Sequence, residues 1–232
     1  MFPRAEIKEY AKAKFKAHYG NTLGVYIICM VLSSAVSGAT FGLGALLLMP
    51  PLTIGLNFFA YLVYQGEKPD VGQIFSFGFD DFGRKLGGML WSWLFTTLWT
   101  LLFIIPGIVK SIAYSMTPFL LAEYPNIPPT EAIKVSMKIT DGRKGDIFIF
   151  YLSYIGWYLL AGITFCLTDI FYSGPYMQVA FGGVYDVLKK DALETGRITL
   201  ADLGIDPQNQ RYQTPPSPGY QTPPNQGPGN PQ

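Results

Sequence analysis

The chain is poor in the side chains on which most enzymes depend. Among 232 residues it has one histidine, His18, and two cysteines, Cys29 and Cys166. A single histidine in a basic segment excludes multi-histidine metal sites and Ser-His triads. The phosphate-binding pattern G-x-x-x-x-G-K-[ST] is also missing, which excludes a P-loop ATPase. The cysteines lie in separate apolar runs, so we expect packing residues rather than a disulfide.

Charge is scarce as well. Only 14% of the residues are charged while 49% are hydrophobic, and the mean hydropathy is +0.23. Soluble domains average about 25% charged residues. The chain also contains six charge-poor stretches of about the 20 residues that a helix needs to cross a bilayer. These predicted crossings cover residues 22–42, 43–65, 87–105, 106–122, 147–168 and 170–187.

The basic residues predict how the crossings are oriented. If the amino terminus is inside, segments 1–21, 66–86, 123–146 and 188–232 face the cytoplasm and hold 16 of the 17 Lys and Arg residues. The exception is Lys110. Positive residues prefer the cytoplasmic ends of membrane helices, so both termini are predicted to be cytoplasmic.

Short motifs recur along the chain and predict three repeated units. Residues 19–24 (YGNTLG) and 82–87 (FGRKLG) share the pattern aromatic-G-x-x-L-G, and residues 141–145 (DGRKG) form a looser third copy. Each copy precedes a predicted crossing, and internal repeats of this kind indicate a repeated structural unit. The predicted membrane domain is residues 1–200, with units of about 1–65, 66–124 and 125–190.

Each unit is predicted to begin with an amphipathic helix on the membrane surface. In the first unit Ile7, Ala11 and Phe15 lie on one helical face, which we expect to enter the headgroup layer. Glycine accepts left-handed backbone angles at low cost, so Gly20, Gly83 and Gly142 are the expected corners between surface helix and crossing. The cations that follow, Arg84, Lys85, Arg143 and Lys144, are expected to bind lipid headgroups.

A few polar residues stand out in the predicted crossings. Lys110 is a cation near the outer end of the fourth crossing, and Asp169 is the one acid in the outer turns. One hypothesis is that they pair; the alternative is that Lys110 reaches the outer headgroups alone. Tyr114 and Pro118 lie near the middle of the fourth crossing. A proline there frees a backbone carbonyl, and the break either creates a binding site or is a kink repaired by Ser or Thr without any ligand.

The carboxyl-terminal segment has a different composition. Residues 201–232 are rich in proline and contain Tyr-Gln-Thr-Pro-Pro twice. Such a sequence cannot build a core, so a disordered cytoplasmic tail with polyproline II character is predicted. It is either a docking strand for a cytoplasmic partner or a solubilising tail.

Residues 105–157 resemble the bacterial integral-membrane family catalogued as domain of unknown function 975. The likeness extends over residues 1 to about 190 and rests mainly on Pro106, Gly107, Lys110, Tyr114, Pro118, Pro125, Glu131, Ala132, Ser136, Gly142, Lys144, Ser153, Gly156 and Trp157. The resemblance implies a multi-pass plasma-membrane protein of a Gram-positive bacterium, without an agreed activity.

These observations predict a non-enzymatic membrane component that organises or senses the envelope or binds partners. The alternative is a small transporter or channel for a lipid or small solute. The expected partners are anionic lipid headgroups on the cytoplasmic side and other membrane proteins. We expect no cofactor, no metal and no nucleic acid partner.

Overall fold

The computed structural model describes residues 2–42, 44–164 and 166–205, and all regular structure in these residues is helical. A π-helical turn, Asp169–Ser173, leads directly into the last helix. The prediction of an all-α protein is confirmed. The α-helices are α1 (Arg4–Ala17), α2 (Tyr19–Ala39), α3 (Ala45–Gln65), α4 (Gln73–Phe79), α5 (Phe82–Leu102), α6 (Ile104–Tyr114), α7 (Thr117–Glu123), α8 (Pro129–Thr140), α9 (Lys144–Leu152), α10 (Ile155–Ile163) and α11 (Gly174–Glu194).

Four segments of the described chain are long and apolar enough to cross a membrane. They are α2, α3, the pair α6–α7 (Ile104–Glu123) and the pair α9–α10 (Lys144–Ile163). They coincide with four of the six predicted crossings. The other two predicted crossings fall on α5 and α11, which have 21 residues each but are more polar. Charged residues are concentrated in the second half of α11. The helix α5 is continuous, but its apolar sequence is mixed with Trp, Ser and Thr residues.

The helix α3 is the centre of the fold. It packs against α11, α4, α2 and α7, and its residues Ile54, Phe59 and Val63 are fully buried. Glycine allows the closest approaches: a Cβ atom on Gly55 would lie 2.3 Å from a backbone oxygen of α4, and one on Gly182 would lie 2.7 Å from the α3 backbone. The two helix pairs can approach this closely only because glycine has no side chain at these two positions.

The apolar face predicted for α1 is buried inside the protein. Ile7, Ala11 and Phe15 are at most 2% exposed, and α1 packs against α11 and α3. On α8, the fully buried Ala132 and Ile139 likewise contact the rest of the chain. The amphipathic pattern of both helices is thus explained by packing on neighbouring helices, and not by immersion of these faces in headgroups.

Two of the membrane-length segments are interrupted. Pro118 at the start of α7 has no backbone N–H, which accounts for the break after α6. Ser136 of α8 repairs this break: its hydroxyl donates to the Ala113 carbonyl (2.7 Å) and accepts from the Met116 N–H (3.2 Å). The second break, between α9 and α10, lies at Ser153 and Tyr154.

The packed part of the chain extends slightly beyond the predicted boundary at residue 200. Ile198 and Leu203 are buried, and Leu203 belongs to the core. Residues 206–232, which hold most of the predicted tail, lie outside the described residues. Both cysteines are unpaired, and Cys29 is buried as expected whereas Cys166 is exposed.

Candidate functional site

A cavity of about 940 Å³ lies beside the carboxyl-terminal ends of α3 and α7, where α4 covers it. The helix α3 ends because Gly66 adopts a left-handed conformation (φ +91°). The helix α7 ends at Glu123 because Pro125 disfavours the helical conformation for the residue before it. The apolar part of the lining comprises Phe58, Leu62, Phe77, Ala122 and Pro125. The polar part includes Glu67, Gln73, Ser76, Asp80, Asp81 and Arg84.

A buried ion pair stands at one side of this cavity. Glu123 lines the cavity, and the Lys189 ammonium donates to one of its carboxylate oxygens at 2.6 Å. The Tyr185 hydroxyl donates to the other oxygen, and Lys189 also donates to the Tyr61 hydroxyl at 3.1 Å. Both charged side chains are only 10% exposed. A buried ammonium is tolerated where a carboxylate compensates its charge, as Glu123 does for Lys189.

Gln65 connects this ion pair to a second acid. Its side-chain amide donates to the Tyr61 hydroxyl at 3.1 Å and to an Asp186 carboxylate oxygen at 2.6 Å. Lys190 donates to the other oxygen of Asp186 at 2.7 Å. The network joins α3 and α11, and Glu123 and Asp186 each accept hydrogen bonds on both carboxylate oxygens. These bonds hold the two helices together.

Arg84 and Lys85, predicted to contact headgroups, have partners within the protein. The Arg84 guanidinium pairs with Asp81 at 2.7 Å and donates to the carbonyl of Leu121 (2.9 Å), in the last turn of α7 where carbonyls lack helical partners. It also donates to the Ile127 carbonyl (3.0 Å) in the connection that follows α7. Lys85 is 4% exposed, its ammonium donates to the Phe77 carbonyl at 2.7 Å, and burial lowers its pKa. In place of projecting toward lipid, both cations hold the cavity wall together.

The other two predicted headgroup residues are more exposed. The Arg143 side chain is 34% exposed and pairs with Asp191 at 3.1 Å, whereas the Lys144 side chain is 35% exposed and pairs with Asp141 at 3.3 Å. Ion pairs of this exposure are weak. Lipid binding by Arg143 and Lys144 stays a prediction.

The three predicted glycine corners differ in conformation. Gly142 has a φ of +71°, as a corner between α8 and α9 requires. Gly20 and Gly83 lie within the first turns of α2 and α5 and have no positive φ. The left-handed residue before α5 is Asp81 (φ +55°). Of the three glycines, only Gly142 has the left-handed conformation, and its role as a corner at the membrane surface stays a prediction.

Lys110 and Asp169 do not pair in the structure. The Lys110 ammonium lies 5.5 Å from the ring centre of Trp99 and 5.9 Å from that of Tyr114. Asp169 instead accepts a hydrogen bond from the Ser173 hydroxyl at 3.0 Å. Asp169 and Pro118 both line a second cavity, of about 320 Å³, which lies near the start of α7, whereas the first lies near its end.

Sequence patterns did not identify the buried ion pair. Glu123 and Lys189 are 66 positions apart, and each was assigned to a cytoplasmic segment on charge alone. Two signals were available: Glu123 ends an apolar run directly before a proline motif, and Tyr185 and Lys189 stand one helical turn apart.

The comparisons with known proteins agree with the predicted resemblance. Residues 87–192 match the family model described as Protein of unknown function (DUF975). Comparisons with curated proteins and with solved structures gave no significant match. Glu123 and Lys189 both fall within the matched region, whereas Tyr61 and Gln65 precede it. Residues 87–192, a little under half of the chain, are therefore similar to DUF975, a family of unknown function.

Proposed function

We propose that this protein is a non-enzymatic, integral component of a bacterial plasma membrane, with six crossings arranged as three hairpins. The order of helices supports this arrangement, because one short helix precedes two longer segments three times: α1 before α2 and α3, α4 before α5 and α6–α7, and α8 before α9–α10 and α11. The polar residues of α11 are accommodated by burial between other helices, since Asp186 and Lys189 are 6% and 8% exposed.

The arrangement can be tested by cysteine labelling. Single cysteines replace the exposed Asp80 and Asp141 in a chain whose native cysteines are changed to serine. Both positions should react only from the cytoplasmic side of sealed vesicles. Labelling from opposite sides would contradict the three-hairpin arrangement.

Within the membrane, the cavity of about 940 Å³ binds an amphiphilic small molecule, and the protein senses or organises the envelope through it. The single observation that carries this proposal is the lining, in which apolar side chains adjoin a polar opening. This volume suits a ligand of drug or lipid-headgroup size. The lining holds four acids, Glu67, Asp80, Asp81 and Glu123, against two bases, Arg84 and Lys85. This excess of acids favours a neutral, zwitterionic or cationic head over an anionic one.

The proposal predicts that filling the cavity displaces the ligand. Ser76 is exposed and lines the cavity, while the neighbouring Phe75 is exposed and is not among its lining residues. Ser76→Trp should remove bound amphiphile, and Phe75→Trp, on the same helix, should keep it. Native mass spectrometry of protein extracted with its surrounding membrane measures the bound mass. Equal occupancy in wild type and Ser76→Trp, with both folded, argues against the proposal.

A transporter is the second candidate, supported by an aromatic layer between the two cavities. Phe119 and Tyr185 are fully buried and stack with ring centres 4.7 Å apart. The Phe119 ring also lies beside one lining residue of each cavity. Its centre is 5.8 Å from that of Phe181 in the smaller cavity and 6.5 Å from that of Tyr61 in the larger one. If this layer is a gate, Phe119→Leu should increase the translocation of a fluorescent phospholipid in proteoliposomes. No translocation by either protein would remove this candidate.

The exposed cations and the tail suggest further partners. Arg143 and Lys144 support contact with anionic lipids, and residues 201–232 support a cytoplasmic partner. Liposome binding measured with and without phosphatidylglycerol, for wild type and the Arg143→Gln, Lys144→Gln variant, tests the first of these. Equal binding in all four combinations would exclude a headgroup role.

A further inference from the structure

The cavity of about 320 Å³ is surrounded by interrupted helices. Pro118 comes from the start of α7, just after the break that follows α6, while Tyr151 and Tyr158 stand on either side of the break between α9 and α10. Asp169 is supplied by the π-helical turn before α11. Irregular backbone inside a membrane protein is tolerated where it lines a cavity, and both helix breaks and π-helical turns are frequent at binding sites.

The charge of this cavity has one sign. Asp169 is the one ionisable acid or base among its described lining residues. Within the described part of the chain its carboxylate accepts hydrogen bonds from neutral groups, the hydroxyls of Ser173 (3.0 Å) and Tyr26 (3.5 Å), and forms no ion pair. A carboxylate in a low-dielectric environment is stabilised strongly by a cation beside it. The cavity therefore favours a positively charged occupant.

The remaining lining identifies the kind of cation. Tyr26, Tyr151, Tyr158 and Phe181 surround the cavity with aromatic rings, and Asn57 and Gln178 add neutral amides. Aromatic faces attract organic ammonium ions, whose charge is spread over a large, weakly hydrated surface. A divalent metal requires several oxygen ligands close together and fills far less space. No group of three or more candidate metal ligands occurs among the described residues.

We propose that this cavity binds an organic ammonium cation, with Asp169 as its counter-ion and the tyrosine rings as its cage. The site is distinct from the larger cavity proposed to bind an amphiphile, so either proposal can fail while the other holds. The ligand class covers small amines and quaternary ammonium compounds, whether free or attached to a larger molecule.

Choline is a suitable probe, because its uncharged carbon isostere has the same shape. Binding is measured by calorimetry on the full chain in phosphatidylglycerol nanodiscs, which contain no ammonium headgroup, with empty nanodiscs as the blank. Choline should bind at least about tenfold more tightly than the isostere, and Asp169→Asn should weaken choline binding by about tenfold or more. Tyr158→Leu, at a half-exposed position, should weaken it about two- to tenfold.

The matched control is Asp146→Asn, which removes an acid of α9 that does not line this cavity, and it should leave binding unchanged. If Asp169→Asn does not fold, Tyr158→Leu decides. Several results would overturn the proposal: no choline binding to wild type, equal binding of the isostere, or full affinity in the Asp169 variant. Displacement of choline by an equal concentration of sodium would show an inorganic cation site and also overturn it.

Discussion

The buried ion pair between Glu123 and Lys189 gives the sharpest test of how this fold is held together. Glu123→Gln removes the negative charge and keeps the shape, so the Lys189 ammonium loses its counter-ion while it stays 10% exposed. Removing one partner of a buried pair costs about 3–5 kcal/mol, because the other charge is left without compensation. Lys189→Met should cost a similar amount.

The double variant Glu123→Gln, Lys189→Met distinguishes charge from packing. With both charges gone, no desolvated ion remains, and replacing a buried pair by neutral groups of similar volume is often nearly neutral. The double variant should therefore be much more stable than the sum of the two single losses implies. Unfolding by sodium dodecyl sulfate in mixed micelles, followed by tryptophan fluorescence, measures the free energies.

The matched control is the pair of Glu131 and Lys134, which has a similar N–O distance of 2.7 Å but side chains 47% and 59% exposed. The corresponding single substitutions there should each cost less than about 1 kcal/mol. Equal losses at the buried and exposed pairs, or strictly additive losses at the buried pair, would refute this reasoning.

Three further predictions concern packing, a helix break and pH. Gly55→Ala should destabilise the fold by about 1–3 kcal/mol, because its Cβ would meet the α4 backbone, whereas Gly162→Ala, with open space around it, should be neutral or slightly stabilising in the same assay. Ser136→Ala should lower the free energy of unfolding by about 1–3 kcal/mol, because two buried backbone groups at the α6–α7 break lose their hydrogen-bond partner. Ser136→Thr keeps a hydroxyl and should therefore lose less stability than Ser136→Ala. The hydrogen bond from Lys138 lowers the pKa of Asp202. The contact therefore contributes fully above the ordinary carboxyl pKa of 3.8 and is lost as the pH falls through the folded-state pKa. The protection of residues 199–203 against hydrogen exchange, relative to the intrinsic exchange rate at each pH, should decrease there, and Asp202→Asn should show the lower protection already at pH 7.

The sequence was sufficient for the helical class and for most of the helix positions. Apolar runs bounded by glycine, proline and charge predicted α2, α3, α6–α7 and α9–α10, since length and hydropathy are local properties. The same patterns did not show that α6–α7 and α9–α10 are interrupted. Pro118 pointed to the first break, but its repair by Ser136 depends on a helix packed from a distant part of the chain.

The candidate sites were predicted less well, because they depend on pairs. Pro118 was selected as a break within an apolar run and Asp169 as the one acid of the outer turns, and the structure brings both to one cavity. Lys110 was selected by the same reasoning, yet its neighbours are aromatic rings and it lies apart from that cavity. Burial of a charge can be suspected from sequence, but the partner that makes it tolerable is a property of the tertiary structure.

The cations Arg84 and Lys85 show why charge counting alone cannot assign a role. In the proposed orientation α3, α7 and α11 all end on the cytoplasmic side, and the last carbonyls of a helix lack helical partners. At that depth a cation can therefore pair with lipid phosphates, with acidic side chains or with these carbonyls. Arg84 uses Asp81 and the Leu121 carbonyl at the end of α7, and Lys85 uses a carbonyl of α4. Basic residues can therefore be concentrated on one side for two reasons: helix ends on that side offer carbonyls, and the membrane on that side attracts cations. The sequence does not distinguish these reasons for Arg84 and Lys85, whereas their contacts in the structure do.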